Sequence, residues 1–273
     1  MSIKLDGVME TLLITLYIRA KDAMSSIPVI NDKKAVEIVN KIDYDFTKFD
    51  SDVMSFYGVV ARAKMMDEQA KKFIHENPDC VIVSMGCGLD TRFSRIDNGR
   101  IQWYNLDFPE VIALRELFFE KNDRVKNIAK SALDPTWTKD VKTEGKKLLL
   151  LSEGMLMYLK EAEIRQLLEI LTNGFDSFEA QFDLLYKGLV NKASMHDTLK
   201  KTKAQFQWGV KDGSEVVALC TGLKQKGLIN FTDEMKHILP GVKKLFIPMM
   251  YIFNNRLGIY TYDKKALKGI GKL

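Results

Sequence analysis

The sequence predicts an α/β fold in which a mostly parallel sheet is covered by helices on both faces. Short apolar, β-branched segments alternate with amphipathic helical segments between residues 81 and 186, as they do in such sheets. The chain has 273 residues, of which 46% are hydrophobic and 28% charged, fractions typical of a globular protein. No internal repeat or glycine-rich linker divides the chain, so we expect a single domain.

Three helices are expected before the first strand. Apolar residues recur at helical spacing in residues 9–17, 35–42 and 59–73, and Pro78 ends the last helix. We expect residues 1–77 to form a helical cap beside the sheet.

Five strands are expected in a core formed by residues 78–186. Apolar, β-branched runs predict them at 81–85, 101–106, 125–130, 147–151 and 181–186. Helical spacing in residues 111–121 and 164–171 predicts two of the connecting helices.

The regular alternation of strands and helices ends after residue 187. Residues 191–211 are polar and rich in lysine, and a helix is predicted around residues 216–223, so residues 187–226 are expected to form an inserted helical lid. Residues 227–273 are expected to contain two last strands at 245–253 and 257–262, although Pro248 is unusual in a central strand.

The composition excludes several classes of protein. Lysine and arginine number 41 against 36 acidic residues, a net charge of +5, and no long run of like charge is present, so we expect no nucleic-acid partner. The apolar run at residues 12–18 is too short to span a bilayer and no secretory signal is visible, so we expect no membrane partner and a cytoplasmic location. No metal site is expected, because metal-ligand spacing is absent among the cysteines and histidines, which are Cys80, Cys87, Cys220, His75, His196 and His237.

Three polar features follow predicted strands. Gly86-Cys87-Gly88 comes directly after the first strand, where glycines allow the backbone to approach a ligand closely. Asp107 lies 19 residues after Gly88 at the end of the second strand, where an acid can accept hydrogen bonds from ribose hydroxyls. Glu153-Gly154 follows the fourth strand.

Each of these features has an alternative explanation. Asp107 and Glu153 could each cap the helix that follows, and a short glycine turn is common between a strand and a helix. A nicotinamide-dependent oxidoreductase is a further alternative, but Thr91 stands where the dinucleotide-binding pattern requires its third glycine.

Three blocks of sequence together resemble the leucine carboxyl methyltransferase family, and within it the bacterial, tetracenomycin-type branch of polyketide O-methyltransferases. The blocks are Gly86-Cys87-Gly88-Leu89-Asp90-Thr91-Arg92, Asp107-Phe108-Pro109-Glu110-Val111 and Glu153-Gly154-Met155-Leu156-Met157-Tyr158-Leu159. The resemblance extends over about residues 10 to 210. It implies a class I methyltransferase with a seven-stranded sheet that uses S-adenosyl-L-methionine and releases S-adenosyl-L-homocysteine, without a metal.

The resemblance also implies roles for individual residues. Arg62 matches the arginine that binds the methionine carboxylate of the cofactor, and Gly86, Cys87 and Gly88 match the loop against its methionine moiety. Asp107 matches the acid that binds the ribose, and Glu153 the acid near the amino group of the cofactor. Ser131 and Ala132 occupy the block that contacts adenine, where the family often has Asp-Leu. Tyr158 matches a tyrosine that positions the methyl acceptor.

The sequence gives the least information about the residues that bind the methyl acceptor. We expect Tyr17, Arg19, Phe206 and Trp208 to fold over the cofactor and, with Tyr158, to build the acceptor pocket. Carboxylate methylation of a small molecule is the expected reaction, because a carboxylate needs no general base and the sequence offers no convincing one. A phenol or alcohol acceptor, and a non-catalytic module that only binds the cofactor, are the alternatives.

Overall fold

The computed structural model describes residues 11–50, 53–191 and 205–269. Within these ranges one sheet contains β1 (Val81–Met85), β2 (Gln102–Asp107), β3 (Val125–Ala129), β4 (Leu148–Ser152), β5 (Ser177–Leu184), β6 (Lys224–Asn230) and β7 (Arg256–Asp263). The strand order is β3-β2-β1-β4-β5-β7-β6. β1 to β5 are parallel, and β7 is antiparallel to both β5 and β6. The expected seven-stranded, mostly parallel sheet is confirmed.

Helices lie on both faces of this sheet, as expected. Those in the described ranges are α1 (Thr11–Ala23), α2 (Lys33–Lys41), α3 (Val53–Glu76), α4 (Arg92–Ile96), α5 (Pro109–Glu116), α6 (Glu161–Gly174), α7 (Ser214–Leu219), α8 (Thr232–Ile238), α9 (Ile247–Phe253) and α10 (Lys264–Lys268). Alternate residues of the central strands face opposite ways, so Leu150 packs with α6 while Leu149 packs with α3. None of these described helices has the length and apolar character needed to cross a membrane.

The predicted N-terminal helices are confirmed as α1, α2 and α3. The side chain of Asp32 caps α2 by accepting a hydrogen bond from the Ala35 N–H at 3.0 Å. Apolar residues of α1, including Leu13 and Leu16, pack against α2 and against Leu89 in the turn that follows β1. The N-terminal helices are therefore packed directly against the glycine turn.

The C-terminal part differs from the prediction. The strand expected at 245–253 is wrong, since residues 241–246 form a 3₁₀ turn and residues 247–253 form α9. Pro248 explains this, because in the first turn of a helix its fixed φ fits and its missing N–H needs no partner. The second C-terminal strand is instead β6, Lys224–Asn230, which directly follows the helix expected around residues 216–223 and pairs with β7.

Residues 192–204 of the expected lid lie outside the described residues. Residues 205–209 have no regular secondary structure, and Val210 forms an isolated parallel bridge with Tyr186. The helix at Ser214–Leu219 follows.

The strand order reverses beside β1. The chain runs from β1 to β2 and β3 on one side, and then returns to β4 on the other side. Ligands of open α/β sheets bind in the crevice at such a reversal, outside the carboxyl ends of the strands. The glycine turn after β1 and Glu153 after β4 both lie at this crevice.

Candidate functional site

The turn after β1 brings the backbone close to the crevice. Gly86 and Gly88 have φ angles of +63° and +48°, a region that favours glycine. A Cβ atom on Gly86 would lie 2.8 Å from the Sδ atom of Met155, so a larger residue would require the Met155 side chain to shift. The Gly88 N–H donates to Oδ2 of Asp107 at 2.8 Å and thereby joins the β1 turn to the end of β2.

A cavity of about 360 Å³ lies above this turn, and we call it the glycine-loop cavity. It is bordered by the carboxyl ends of β1, β2 and β4 and by side chains of α1 and α3. The structure brings every residue that was predicted to bind the cofactor to this cavity: Arg62, Gly86, Cys87, Gly88, Asp107, Ser131, Ala132 and Glu153.

The Asp107 carboxylate is held by two backbone hydrogen bonds. Besides the bond from Gly88, its Oδ1 accepts from the Phe108 N–H at 2.8 Å. Burial raises the pKa of Asp107, against the lowering effect of these bonds and of Arg115. Each oxygen is oriented by one N–H donor and retains a lone pair for a hydroxyl in the cavity.

Ser131 and Ala132 form part of the turn after β3. The Ser131 hydroxyl accepts from the Leu133 N–H at 3.2 Å, and the Ala132 carbonyl accepts from the indole N–H of Trp137 at 3.1 Å. These bonds fix the turn against the buried Trp137 ring, so this side of the cavity is shaped by local hydrogen bonds.

Glu153 is bound by two arginines. Its Oε1 accepts from Nε of Arg62 at 2.9 Å, and its Oε2 accepts from Nη2 of Arg92. Burial acts to raise the pKa of Glu153, but the two guanidinium groups outweigh burial and hold the pKa below its usual value. The carboxylate is therefore ionised at neutral pH.

Further ion pairs of Arg92 lead away from the cavity. This side chain is 1% exposed, and it donates to Asp67 at 2.7 Å and to Asp90 at 2.9 Å. Arg95 shares Asp67 with it, at 2.6 Å. We call Arg62, Arg92, Arg95 and their acidic partners the buried ion-pair network.

Asp183, which is fully buried in β5, is a residue of the site that was not predicted from the sequence. Its Oδ2 accepts from Nη1 of Arg62 at 3.0 Å and from the Gly154 N–H at 3.1 Å, and its Oδ1 lies 3.4 Å from Nδ2 of Asn255. Burial raises the pKa of Asp183, while Arg62 acts to lower it. The signal that could have revealed this residue is an acid flanked by Phe182 and Leu184 within a predicted strand, because a buried carboxylate requires a partner.

A second cavity of about 480 Å³ adjoins the first. Thr11, Thr15, Arg62, Gly154 and Tyr158 border both cavities and form the wall between them. The rest of its lining is mostly apolar and includes Met54, Met157, Met235, Met249, Met250, Leu185, Leu189, Phe206, Phe231 and Phe253. We call it the methionine-rich cavity.

Tyr158 lies in the shared wall. Burial raises the pKa of its phenol to about 12, against the opposing effects of a hydrogen bond with Thr11 and of the Arg62 charge. The hydroxyl therefore stays protonated at neutral pH. It can donate a hydrogen bond, but it does not act as a base.

The structure separates the remaining predicted acceptor residues. Phe206 lines the methionine-rich cavity and packs against Tyr158, with ring centroids 5.9 Å apart. Arg19 lines the glycine-loop cavity instead, where its Nε donates to Asp32 at 3.0 Å. Tyr17 and Trp208 are absent from the described linings of both cavities.

Other contacts account for these two aromatic residues. The Tyr17 hydroxyl donates to Asp50 at 2.6 Å, and its ring stacks on Phe46. Trp208 is buried in the main core with residues of β5 and β7. The sequence motifs did not distinguish residues that line the cavities from residues that pack elsewhere in the fold.

Cysteine chemistry and metal binding receive no support from the described residues. Burial raises the pKa of the Cys87 thiol far above its usual range, so the thiol is not activated although it borders the cavity. In the parts of the chain that the structure describes, no three His, Cys, Asp or Glu side chains cluster as metal ligands.

The buried ion-pair network predicts a large stability difference between two arginine variants. Arg92→Met would leave Asp67, Asp90 and Glu153 buried without one of their cations, so we expect the free energy of unfolding to fall by about 3–5 kcal/mol. The matched control is Arg100→Met, because Arg100 pairs with Asp79 where both side chains are more than half exposed. Such a pair contributes about 0–1 kcal/mol. Urea unfolding measures both, and equal losses would contradict the network's role.

Comparisons with known proteins agree with this geometry. The family model described as "Leucine carboxyl methyltransferase" matches residues 13–172. The tetracenomycin polyketide synthesis O-methyltransferase TcmP of Streptomyces glaucescens is 32% identical over 224 residues, covering 82% of this chain and 83% of that protein. The S-adenosyl-L-methionine-dependent methyltransferase dpfgK of Gibberella zeae is 32% identical over 249 residues, covering 82% of each.

Solved structures share the fold at low sequence identity. A candidate methyltransferase from Thermobifida fusca YX superposes with a TM-score of 0.59 at 11% identity, covering 90% of this chain and 94% of that one. A protein of the family DUF574 from Streptomyces avermitilis superposes with a TM-score of 0.56 at 10% identity, covering 93% and 97%. With the family match and the two relatives, we conclude that the chain is an S-adenosylmethionine-dependent methyltransferase and belongs to the leucine carboxyl methyltransferase family.

Proposed function

We propose that this enzyme methylates a carboxylate oxygen of an apolar small molecule, and that it does so in the cytoplasm. S-adenosylmethionine, when bound, supplies a methyl group that its positively charged sulfur makes electrophilic. The relative TcmP is an O-methyltransferase of polyketide synthesis, which supports oxygen as the acceptor atom. The observation that carries the choice of a carboxylate is the absence of a base among the described residues that line the methionine-rich cavity.

The residues of the glycine-loop cavity fit the groups of the cofactor. Arg62 bonds to Glu153 and Asp183 through Nε and Nη1, so with respect to the described residues its Nη2 is left to bind the methionine carboxylate. Asp107 offers oriented lone pairs to the ribose hydroxyls. Glu153 stays ionised, as a partner of the cofactor's ammonium group must be.

The chemistry of the second cavity separates the possible acceptors. A carboxylic acid has a pKa near 4 and is ionised at neutral pH, whereas a phenol has a pKa near 10 and needs a base to remove its proton. The ionisable side chains in the described lining are Arg62 and Tyr158. The Arg62 pKa is raised and the Tyr158 pKa is about 12, so neither takes up a proton at neutral pH.

Tyr158 is the residue we assign to positioning the acceptor. Tyr158 is half-buried, and its protonated hydroxyl lies at the wall between the cavities, where the methyl group and the acceptor oxygen have to meet. A hydrogen bond from this hydroxyl would hold one carboxylate oxygen and leave the other to react. Phe206 and Met157, which are buried, pack against Tyr158 and shield it from water, which strengthens that bond.

The presence of the second cavity also bears on the non-catalytic alternative. A module that only binds the cofactor needs one cavity, whereas a transferase also needs space for the acceptor directly beside the cofactor. The five residues common to both linings show that the two cavities adjoin.

The product distinguishes a carboxylate from a hydroxyl acceptor. Incubation with labelled cofactor and matched aromatic carboxylic acids and phenols should label the acids. The labelled product should release methanol on mild alkaline treatment, because it is a methyl ester. A labelled product that survives base is an ether and would show that the acceptor is a hydroxyl group.

Asp107→Ala should weaken binding of S-adenosylmethionine. Loss of two hydrogen bonds to a charged acceptor is expected to cost about 2–4 kcal/mol of binding free energy, measured by calorimetry on the folded variant. Glu110→Ala is the matched control, because Glu110 is an exposed acid in the first turn of α5 and lies outside the described cavity linings. Unchanged affinity of Asp107→Ala would remove the ribose assignment.

Tyr158→Phe should lower kcat for the carboxylate acceptor by about tenfold or more, since one buried hydrogen bond to a charged group is worth about 1.5–3 kcal/mol. The affinity for S-adenosylmethionine should stay nearly the same, because the phenylalanine ring keeps the wall intact. Tyr186→Phe serves as a control at a tyrosine outside the described cavity linings. A parallel loss of cofactor affinity would instead make Tyr158 a structural residue of the wall.

A further inference from the structure

An apolar surface in the C-terminal region is unexplained by the fold. The apolar side chains Val242, Leu245, Phe246, Met249, Tyr251, Ile252 and Phe253 are between 37% and 79% exposed, and we call them the C-terminal apolar patch. Elsewhere among the described residues such exposed side chains are scattered, as at Ile27 and Leu117. Contiguous exposed apolar surface of this kind marks a site of interaction.

The local sequence explains why the patch cannot fold inward. Pro240 and Pro248 divide the segment into a 3₁₀ turn at Gly241–Phe246 and the short helix α9. One side of α9 packs inward, where Met250 is buried against α3 and α8. The apolar residues continue around the helix, so the opposite side presents the patch outward.

The charges within the patch have one sign. Lys243 and Lys244 lie between Val242 and Leu245, and the segment that carries the patch contains no acidic residue. At its edge the Tyr251 hydroxyl donates to Asp233 at 2.7 Å, and Asp233 also pairs with Lys236. Lys243 lies over the ring of Tyr57 at 5.4 Å. Neither lysine forms an ion pair with another residue that the structure describes. Bulky apolar side chains beside lysines are the composition of segments that lie in the interface of an anionic bilayer.

We propose that the C-terminal apolar patch binds the surface of a membrane that contains anionic lipids. The apolar side chains enter the boundary of the acyl chains while Lys243 and Lys244 meet the negative headgroups. A second copy of this chain fits the patch less well, because the acid beside the patch, Asp233, is already bound to Tyr251 and Lys236 and offers a partner's lysines only a shared carboxylate. This proposal revises the expectation of no membrane partner.

The patch adjoins the methionine-rich cavity. Met249 and Phe253 belong to the patch and also line the cavity, so the cavity opens beside the proposed membrane contact. An apolar carboxylic acid dissolved in the bilayer would therefore enter the cavity from the membrane. This route rests on the proposed function, whereas binding of the patch to lipid does not depend on it.

Vesicle flotation tests the surface without cofactor or acceptor present. The full-length protein should float with vesicles of phosphatidylcholine and phosphatidylglycerol in equal parts, and much less with phosphatidylcholine alone. Replacing Lys243 and Lys244 by glutamine should lower the partition coefficient by about fivefold for each lysine. Leu245→Ser with Ile252→Ser should lower it by about tenfold or more.

Two matched controls isolate the patch. Lys71→Gln with Lys72→Gln removes a neighbouring lysine pair on exposed positions of α3, and Ile27→Ser with Leu117→Ser removes two apolar side chains of similar exposure. Both control proteins should float like the original protein. Failure of the original protein to float, or equal flotation of all variants, would overturn the proposal.

Light scattering tests whether a second copy of this chain, rather than a membrane, binds the patch. A dimer that Leu245→Ser with Ile252→Ser dissociates, in a protein that does not float, would assign the patch to a second copy. Methylation of a water-soluble carboxylic acid should be unchanged in the patch variants. If the protein floats but methylates no carboxylic acid, the proposed function fails and the membrane surface stands.

Discussion

The need to keep buried charges paired is the constraint on which the site depends. Glu153 lies between Arg62 and Arg92, and Arg92 also binds Asp67 and Asp90. Separating a buried pair costs about 3–5 kcal/mol, so α3, α4 and the turn after β4 are held in one arrangement by these contacts. The pKa of Glu153 is lower in the folded protein than in the unfolded chain. The ion pairs therefore stabilise the fold at neutral pH, and this stabilisation is lost as the pH falls through the pKa of the folded state. The glycine-loop cavity is therefore shaped by ion pairs as much as by apolar packing.

The extent to which the site could be predicted follows from how local each signal is. The glycine turn and Asp107 each follow a strand directly, so a strand pattern and the next few residues were enough to place them at the crevice. Asp183 is different, because its role appears only when β5 brings it beside Arg62, a residue 121 positions away in the chain. Tyr17 shows the opposite error, since a motif position was taken for a site while the hydroxyl is bound to Asp50.

The fold was predictable wherever burial on both faces produced an uninterrupted apolar run. β1 and β4 are fully buried along their length, and both were placed within one residue. β6 is an edge strand that begins with polar side chains, so its sequence carries little apolar pattern. The apolar run at 245–253 misled for the reverse reason, because side chains exposed at a surface produce the same composition as a buried strand.

The polarity of the site changes in one direction, from the buried ion-pair network, across the wall at Arg62 and Tyr158, to the methionine-rich cavity. Moving a carboxylate from water into an apolar cavity is costly unless donors replace its hydration. Arg62 and Tyr158, the ionisable donors in the described lining, both lie at the wall. The proposed acceptor therefore has a defined orientation, with its carboxylate at the wall and its body among the methionines. Methionine side chains adapt to different shapes. Discrimination among acceptors should thus rest more on the position of the carboxylate than on the outline of the apolar body.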